Sequence, residues 1–300
     1  MKYALLIHGP FANQWLIKIK KQIFKFKYKF NQIVLVSYVS DKENYETLLN
    51  DLNLSDNVTL ISVKDVINPG FFNINRQLLT VNAGLESIEN SSFVIKLRND
   101  QSVDFNKLIK YADKNKIITT NCYTRSDRLY HPSDMLLCGT KEELKILYSL
   151  PLVPNTHIMT IYENKKICRD NPDLKYLPIS PESMLCRHYL QEKGWNIKET
   201  KKDSFEAIKN YYIVLNSWNI DFRSTKKRTH LCPKNYLILP HYFTTKPFAD
   251  FQDENAACYQ ACDFNGKFPG IKDLYYLCFS KLVWLLWKHN KKGLGIFRRK

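Results

Sequence analysis

The chain has 300 residues, which suits one large α/β domain or one domain with an appended helical part. Its apolar fraction of 44% and aromatic fraction of 13% exclude an intrinsically disordered chain. It has only nine glycines and neither G-x-x-x-x-G-K-S/T nor G-x-G-x-x-G, which argues against P-loop and dinucleotide-binding proteins. The formal net charge of +16 favours nucleic acid, anionic lipid or phosphate-bearing partners. An AT-rich genome would produce the same lysine bias.

Strands alternate with helices along the first 120 residues. Short apolar runs predict strands at 3–7, 32–38, 58–63, 93–97 and 117–120. Helical spacing of apolar residues predicts helices at 13–30, 42–52, 73–89 and 105–114. This alternation indicates βαβ units, and therefore an α/β fold with a mainly parallel sheet flanked by helices.

The second half is less regular. It contains a polar loop at 125–134, a predicted short strand at 135–138, helices at 141–150 and from Ser180 to about Gly194, and a predicted strand at 236–240. Residues 204–223 mix helix and strand signals. We predict an α/β domain over residues 1–240 and a C-terminal extension over 241–300.

The extension carries an apolar, aromatic segment at 274–287 followed by lysines and arginines. This pattern suits either the surface of an anionic membrane or a core helix with a basic end. The N-terminus lacks signal-peptide features, and no stretch reaches the roughly 18 apolar residues that span a bilayer. The eight cysteines are scattered without a C-x-x-C pair, as expected of reduced thiols. We therefore expect a cytoplasmic protein, peripheral at an anionic membrane surface.

In open parallel sheets, ligands bind beyond the carboxyl ends of the strands. This rule singles out the run from His8 to Pro10, Ser37, and the run from Lys96 to Asp100. Many sugar transferases place an acidic D-x-D-type signature at such a strand end, where a carboxylate holds a divalent cation against the donor diphosphate. Here Arg98 replaces the first acid. Two interpretations are open. Either Arg98 binds a phosphate while Asp100 binds Mn²⁺ or Mg²⁺, or the two side chains form a simple salt bridge.

Three other motifs have two readings each. Arg76 lies on the polar side of a predicted helix, which is typical of a solvated surface. His131, Ser133 and Asp134 belong to a loop that either binds a sugar and supplies a base or forms an Asx-type turn. Glu182 follows Ser180 and Pro181 in a helix start, where a carboxylate stabilises the helix dipole or acts as a general base.

Taken in order, several of these blocks resemble the WavE family of lipopolysaccharide-synthesis proteins. The resemblance rests on Gly9-Pro10, Asn75-Arg76-Gln77, Gly84-Leu85, Val94 to Asp100, His131 to Asp134 with Gly139 and Glu142-Glu143-Leu144, and Pro181-Glu182. It covers roughly residues 3 to 195. The chain departs from the family pattern at Ser37-Tyr38-Val39 and at Met135.

The resemblance implies a GT-A-type glycosyltransferase of outer-core or capsule assembly. It implies that Arg76, Arg98 and Asp100 lie near the donor diphosphate, and Asp134 near the donor or acceptor sugar. On this reading Asp100 binds Mn²⁺ or Mg²⁺, and Glu182, or failing it Asp134, is the base. The expected partners are a nucleotide sugar, with a UDP-sugar favoured, a glycan or glycolipid acceptor, and an anionic membrane. The alternative is a noncatalytic protein that binds nucleic acid or another polyanion through its basic charge, although no nucleic-acid-binding signature is present.

Overall fold

A computed structural model describes residues 1–11, 13–41, 57–90, 92–126, 128–154 and 180–224, with short pieces at 43–44, 46–47, 264 and 271. Most of the predicted helix at 42–52 lies outside these residues. So do the predicted strand at 236–240, the aromatic and basic segment at 274–287, and the domain boundary at 240. These interpretations stay predictions.

Within the described residues, seven strands form the main sheet. They are β1 (Tyr3–His8), β2 (Gln32–Tyr38), β3 (Val58–Val63), β4 (Phe93–Arg98), β6 (Ile117–Thr120), β7 (Leu137–Thr140) and β8 (Tyr212–Leu215). Their order across the sheet is β3-β2-β1-β4-β7-β6-β8. All neighbouring pairs are parallel except those of β7, which runs antiparallel to β4 and β6. Two short strands, β5 (Gln101–Ser102) and β9 (Arg223–Ser224), form a separate antiparallel pair.

Helices cover both faces of the sheet. They are α1 (Asn13–Phe26), α2 (Ile74–Ser87), α3 (Phe105–Leu108), α4 (Lys141–Tyr148), α5 (Pro181–Glu192) and α6 (Lys201–Tyr211). Alternate residues along β1 and β2 point to opposite faces, which divides the core in two. Residues of α1 and α3 pack in one half, and residues of α2, α4, α5 and α6 pack in the other.

Helix α2 lies unusually close to the sheet. A Cβ added to Gly84 would lie 3.0 Å from a methyl group of Val36 and would collide with Leu6. Glycine is therefore needed here because of the close approach of helix and strands.

The predicted α/β fold with a mainly parallel sheet is confirmed, with local corrections. The strand expected at 135–138 is β7 at Leu137–Thr140. The helix expected at 105–114 is the short α3 followed by a 3-10 turn, Ile109–Tyr111. Residues 204–223 separate into the end of α6, β8 and β9. No helix among the described residues is long and apolar enough to cross a membrane.

The strand order determines where a ligand would bind. The chain runs outward from β1 through β2 to β3, and then returns to place β4 on the other side of β1. The order therefore reverses between β1 and β4, and the carboxyl ends of these strands form the switch point at which open α/β sheets bind ligands.

Candidate active site

Charged and titratable side chains gather at the switch point between β1 and β4. His8 and Arg98 end these two strands and lie opposite each other in the parallel register. The group, called here the strand-end cluster, consists of His8, Lys96, Arg98, Asp100, His131, Asp134 and Glu182.

Arg98 and Asp100 form an ion pair at the end of β4. A guanidinium nitrogen of Arg98 lies 2.8 Å from Oδ2 of Asp100. Burial lowers the pKa of Arg98, but the charges of Asp100 and Asp134 outweigh it and hold the pKa above its ordinary value. The Arg98 side chain keeps 29% of its surface exposed, whereas that of Asp100 keeps 6%. Arg98 is therefore a permanently charged group that an anionic ligand can reach.

Lys96 is a second cation, two residues before Arg98 on β4. Its side chain is fully buried, and its Nζ donates to the backbone carbonyl of Asp134 at 2.6 Å. Burial lowers the pKa of Lys96 to about 8, although the negative charges of Asp134 and other carboxylates act to raise it. At neutral pH the ammonium therefore stays charged, and its hydrogen bond holds the backbone of the loop that carries Asp134.

His8 is a buried neutral histidine that is hydrogen-bonded to helix α2. Its Nδ1 lies 3.0 Å from the hydroxyl of Thr80, which also lies 2.8 Å from the carbonyl oxygen of Arg76. Burial, and then the positive charges of Lys96 and Arg98, lower the pKa of His8. Nε2 is buried and has no hydrogen-bond partner within the described residues.

Glu182 lies in the first turn of α5. The Ser180 hydroxyl caps this helix by accepting from the backbone N–H of Ser183, and Pro181 occupies the first turn. Burial, and then the negative charge of Asp134, raise the pKa of Glu182 to about 7. Of its side chain, 15% remains exposed. Glu182 is therefore a partly accessible carboxyl group that changes protonation near neutral pH.

His131 lies beside Glu182. Its Nδ1 is 3.0 Å from the carbonyl oxygen of Tyr123 and must donate to it, because a carbonyl only accepts. Nε2 of the neutral ring therefore holds a lone pair, 3.6 Å from Oε2 of Glu182. Burial lowers the pKa of His131, and the charges of Arg128 and Arg125 lower it further. A neutral imidazole next to a carboxyl of raised pKa is suited to share one proton.

Asp134 links the two halves of the cluster electrostatically. Its negative charge acts on the pKa values of Lys96, Arg98 and Glu182. Its carboxylate makes no hydrogen bond or ion pair with any residue that the structure describes, and the residue is only partly buried. The carboxylate can therefore accept hydrogen bonds from hydroxyl groups of a ligand.

The cluster does not fit a divalent cation. The described part of the chain contains no group of three or more His, Cys, Asp or Glu side chains placed to hold a metal ion. Asp100, the predicted ligand, is instead paired with Arg98, and Lys96 adds a second positive charge to its surroundings. This arrangement does not support Mn²⁺ or Mg²⁺ at Asp100, and that assignment stays a prediction.

The other predicted donor-binding residues lie around this centre. Gly9 adopts φ +119, and its backbone approaches the side chain of Asn99, which also donates to the Pro10 carbonyl. The Ser37 hydroxyl donates to the carboxylate of Asp41. Ser133 is buried, and its hydroxyl accepts from the backbone N–H of Met135 at 3.3 Å.

Arg76 has a partner of its own on α2. Its guanidinium makes two hydrogen bonds to Asp65, at 2.9 and 2.5 Å, and lies over the ring of Tyr38. The hydrogen bonding to Arg76 lowers the pKa of Asp65. In the structure Arg76 therefore forms a two-pronged surface ion pair, and its expected contact with the donor diphosphate stays a prediction.

Sequence reasoning singled out His8 at a strand end but did not include it among the binding residues. It did not consider Thr80, which is hydrogen-bonded to His8. Thr80 lies 72 residues away from His8, and no local pattern connects the two.

No family model matches the chain, and no curated protein matches it. The resemblance to the WavE family is therefore not confirmed. Among solved structures, the chain is similar to the galactosyltransferase LgtC in complex with donor and acceptor sugar analogues, with 13% identity, 93% of this chain and 95% of that chain covered, and a TM-score of 0.40.

It is also similar to the glycosyltransferase GlyE of Streptococcus pneumoniae TIGR4, with 12% identity and a TM-score of 0.36. The match covers 97% of this chain and 64% of that chain. A third similar structure is the inositol-1-phosphate CTP transferase of T. maritima, with 12% identity and a TM-score of 0.35. The match covers 70% of this chain and 98% of that chain. At these TM-scores the likeness carries no functional argument, so the proposal below rests on the strand-end cluster.

Proposed function

We propose that the protein is a glycosyltransferase that moves a sugar from a nucleotide-sugar donor to a glycan acceptor. The observation that carries the proposal is the partly exposed carboxyl of Glu182, whose pKa is raised to about 7, in the same electrostatic cluster as Lys96 and Arg98, the two cations of β4. Direct displacement of the diphosphate by the acceptor uses both parts: a base for the acceptor hydroxyl and positive charge for the departing diphosphate.

In the proposed reaction the acceptor hydroxyl oxygen forms a bond to the anomeric carbon of the donor. The bond from that carbon to the diphosphate oxygen breaks, and the nucleoside diphosphate leaves with the electron pair. Glu182 takes the hydroxyl proton, supported by the neutral His131 beside it. A base with a pKa near the working pH is efficient because it is ionised yet still basic.

The protein's own cations would stabilise the leaving group. Arg98 is reachable and can bind two phosphate oxygens with its planar guanidinium. Lys96 adds positive charge from behind, in a buried setting where charge is weakly screened. Asp134 can accept hydrogen bonds from hydroxyl groups of the donor or acceptor sugar.

The finer parts of the proposal come from the sequence resemblance. They are a UDP-sugar as donor, a lipopolysaccharide, lipooligosaccharide or capsule glycan as acceptor, and work at the inner face of the bacterial inner membrane. The blocks that carry the resemblance include Arg98, Asp134 and Glu182, which the fold brings into one cluster, and this supports the proposal.

The test is a thermal-shift titration with UDP, GDP, CDP and CMP, with and without Mn²⁺ or Mg²⁺. A ligand that binds only the native state raises the melting temperature. We expect one nucleoside diphosphate to raise it in either condition, and Arg98→Gln to weaken its binding about tenfold or more, as for loss of a charged hydrogen bond.

The matched control is Lys193→Gln. Lys193 is an ion-paired cation with a similar exposure, 30%, that follows the last turn of α5, far from Glu182 in the first. Loss of binding in Arg98→Gln but not in Lys193→Gln supports the assigned site. No shift with any nucleotide, or equal binding in the two variants, contradicts it.

A further inference from the structure

The outward side of α1 and the turn that follows it combines lysines with large apolar side chains. Ile17, Phe24 and Tyr28 are 62%, 54% and 88% exposed, and Lys21 and Lys25 are exposed between them. Spacings of three and four residues place Ile17, Lys21, Phe24 and Lys25 on one side of α1, and Tyr28 follows in the 3-10 turn Lys27–Lys29. We call them the α1 outer face.

The inner side of α1 shows why this face points outward. Ile19, Ile23 and Phe26 are buried in the half of the core that also contains β1 and β2. Together with the partly buried Leu16, these residues pack the described part of the helix against the sheet. The apolar side chains of the α1 outer face are therefore additional to the core, and a cluster of exposed apolar groups of this kind marks an interaction surface.

The charge of the segment is entirely positive. Residues 13–29 include six lysines and no acidic residue. Among the described residues, Lys21 and Lys25 have no ion-pair partner, and the amine of Lys27 lies 5.3 Å from the ring centre of Phe24 and 5.0 Å from that of Tyr28. Within the described residues, the ammonium groups of Lys21, Lys25 and Lys27 thus lie beside the apolar side chains and make no ion pair.

We propose that the α1 outer face docks on the surface of an anionic lipid bilayer. Lysines attract anionic headgroups, while isoleucine, phenylalanine and tyrosine side chains enter the boundary between headgroups and acyl chains. An aliphatic side chain such as Ile17 gains from burial among acyl chains, whereas a phosphate backbone rewards only the lysines. The mixture of both kinds of group on one face therefore favours lipid over nucleic acid.

The location suits an enzyme that acts at a membrane. Helix α1 begins at Asn13, five residues after the end of β1, so its first turn lies at the same edge of the sheet as the strand-end cluster. The docking proposal does not rest on the proposed sugar transfer, because it concerns a different face and different residues.

Vesicle co-sedimentation of the full chain tests the charge component. We expect binding to phosphatidylcholine vesicles containing 30% phosphatidylglycerol, and weaker binding to phosphatidylcholine alone. Lys21→Gln with Lys25→Gln should lower the affinity for the anionic vesicles about thirtyfold, at about fivefold per lysine. The control, Lys201→Gln with Lys202→Gln, removes the same charge from exposed lysines of α6 on the opposite side of the sheet and should have little effect.

A second pair of variants tests the apolar component. Ile17→Ser should lower vesicle affinity about tenfold through loss of apolar burial. Ile67→Ser removes a fully exposed isoleucine elsewhere and should leave the affinity unchanged. Melting temperatures of all variants verify folding.

Two results would overturn the proposal. One is that the α1 variants bind vesicles as well as their controls do. The other is that Lys21→Gln with Lys25→Gln weakens binding to a DNA duplex while Ile17→Ser leaves vesicle binding intact, which would assign the face to nucleic acid. Nucleotide binding at the strand-end cluster is measured separately, so a failure there leaves the vesicle result standing.

Discussion

Replacing Glu182 by Gln should stabilise the folded protein above neutral pH while removing sugar transfer. The pKa of Glu182 is about 7 in the folded state, against an ordinary value of 4.5, because of burial and then the charge of Asp134. Below pH 4.5 the carboxyl is protonated in both folded and unfolded chains. As pH rises to about 7 the unfolded chain releases this proton first, so the stability present at low pH is progressively lost.

The size of the effect follows from the two pKa values. Their difference of about 2.5 corresponds to about 3 kcal/mol, at about 1.36 kcal/mol for each pKa unit. A Gln side chain has nearly the same shape and cannot ionise. We therefore expect Glu182→Gln to match the wild type near pH 4.5 and to exceed its free energy of unfolding at pH 8 by up to about 3 kcal/mol.

Urea unfolding at the two pH values measures this difference. Glu192→Gln, which removes an exposed carboxylate from the same helix, controls for the loss of one negative charge. In transfer assays the wild type should show kcat/KM rising with pH to a plateau above about 7, and Glu182→Gln should lower kcat by about 10² to 10⁴-fold. Equal stability of Glu182→Gln and wild type at both pH values, or retained activity, would refute the reasoning.

Three further predictions concern the surroundings. Asp134→Asn removes a charge that raises the pKa of Glu182, so the rise of kcat/KM should move to lower pH; an inactive variant would instead make Asp134 the base. Lys96→Met should weaken nucleotide binding in the thermal-shift titration, and unchanged affinity would exclude an electrostatic contribution from this cation. Gly84→Ala should lower the free energy of unfolding by about 1 to 3 kcal/mol through overpacking, whereas Gly139→Ala, whose added Cβ meets only ordinary contacts, should have a smaller effect in the same urea titration.

Local signals in the sequence predicted much of the fold. The apolar runs at β1, β2 and β4 are buried on both faces, which made them recognisable as central parallel strands. The helix start at Ser180 and Pro181 was equally clear, because capping chemistry is local. The positions of Arg98 and Glu182 followed from these two elements.

The antiparallel insertion of β7 between β4 and β6 was not predictable, because strand pairing depends on contacts distant in sequence. The meeting of His131 with Glu182, 51 residues apart, was hidden for the same reason. The ion pair between Arg76 and Asp65 was also not predictable, because Asp65 lies before the helix in a loop without a motif.

Release of nucleoside diphosphate from a panel of nucleotide sugars, in the presence of glycolipid acceptors from a bacterial envelope, tests the central claim most directly. We predict acceptor-dependent release from one donor by the wild-type protein, and its loss in the folded Glu182→Gln variant. No release from any donor by folded protein, or equal release by wild type and Glu182→Gln, would contradict the assignment of sugar transfer to the strand-end cluster.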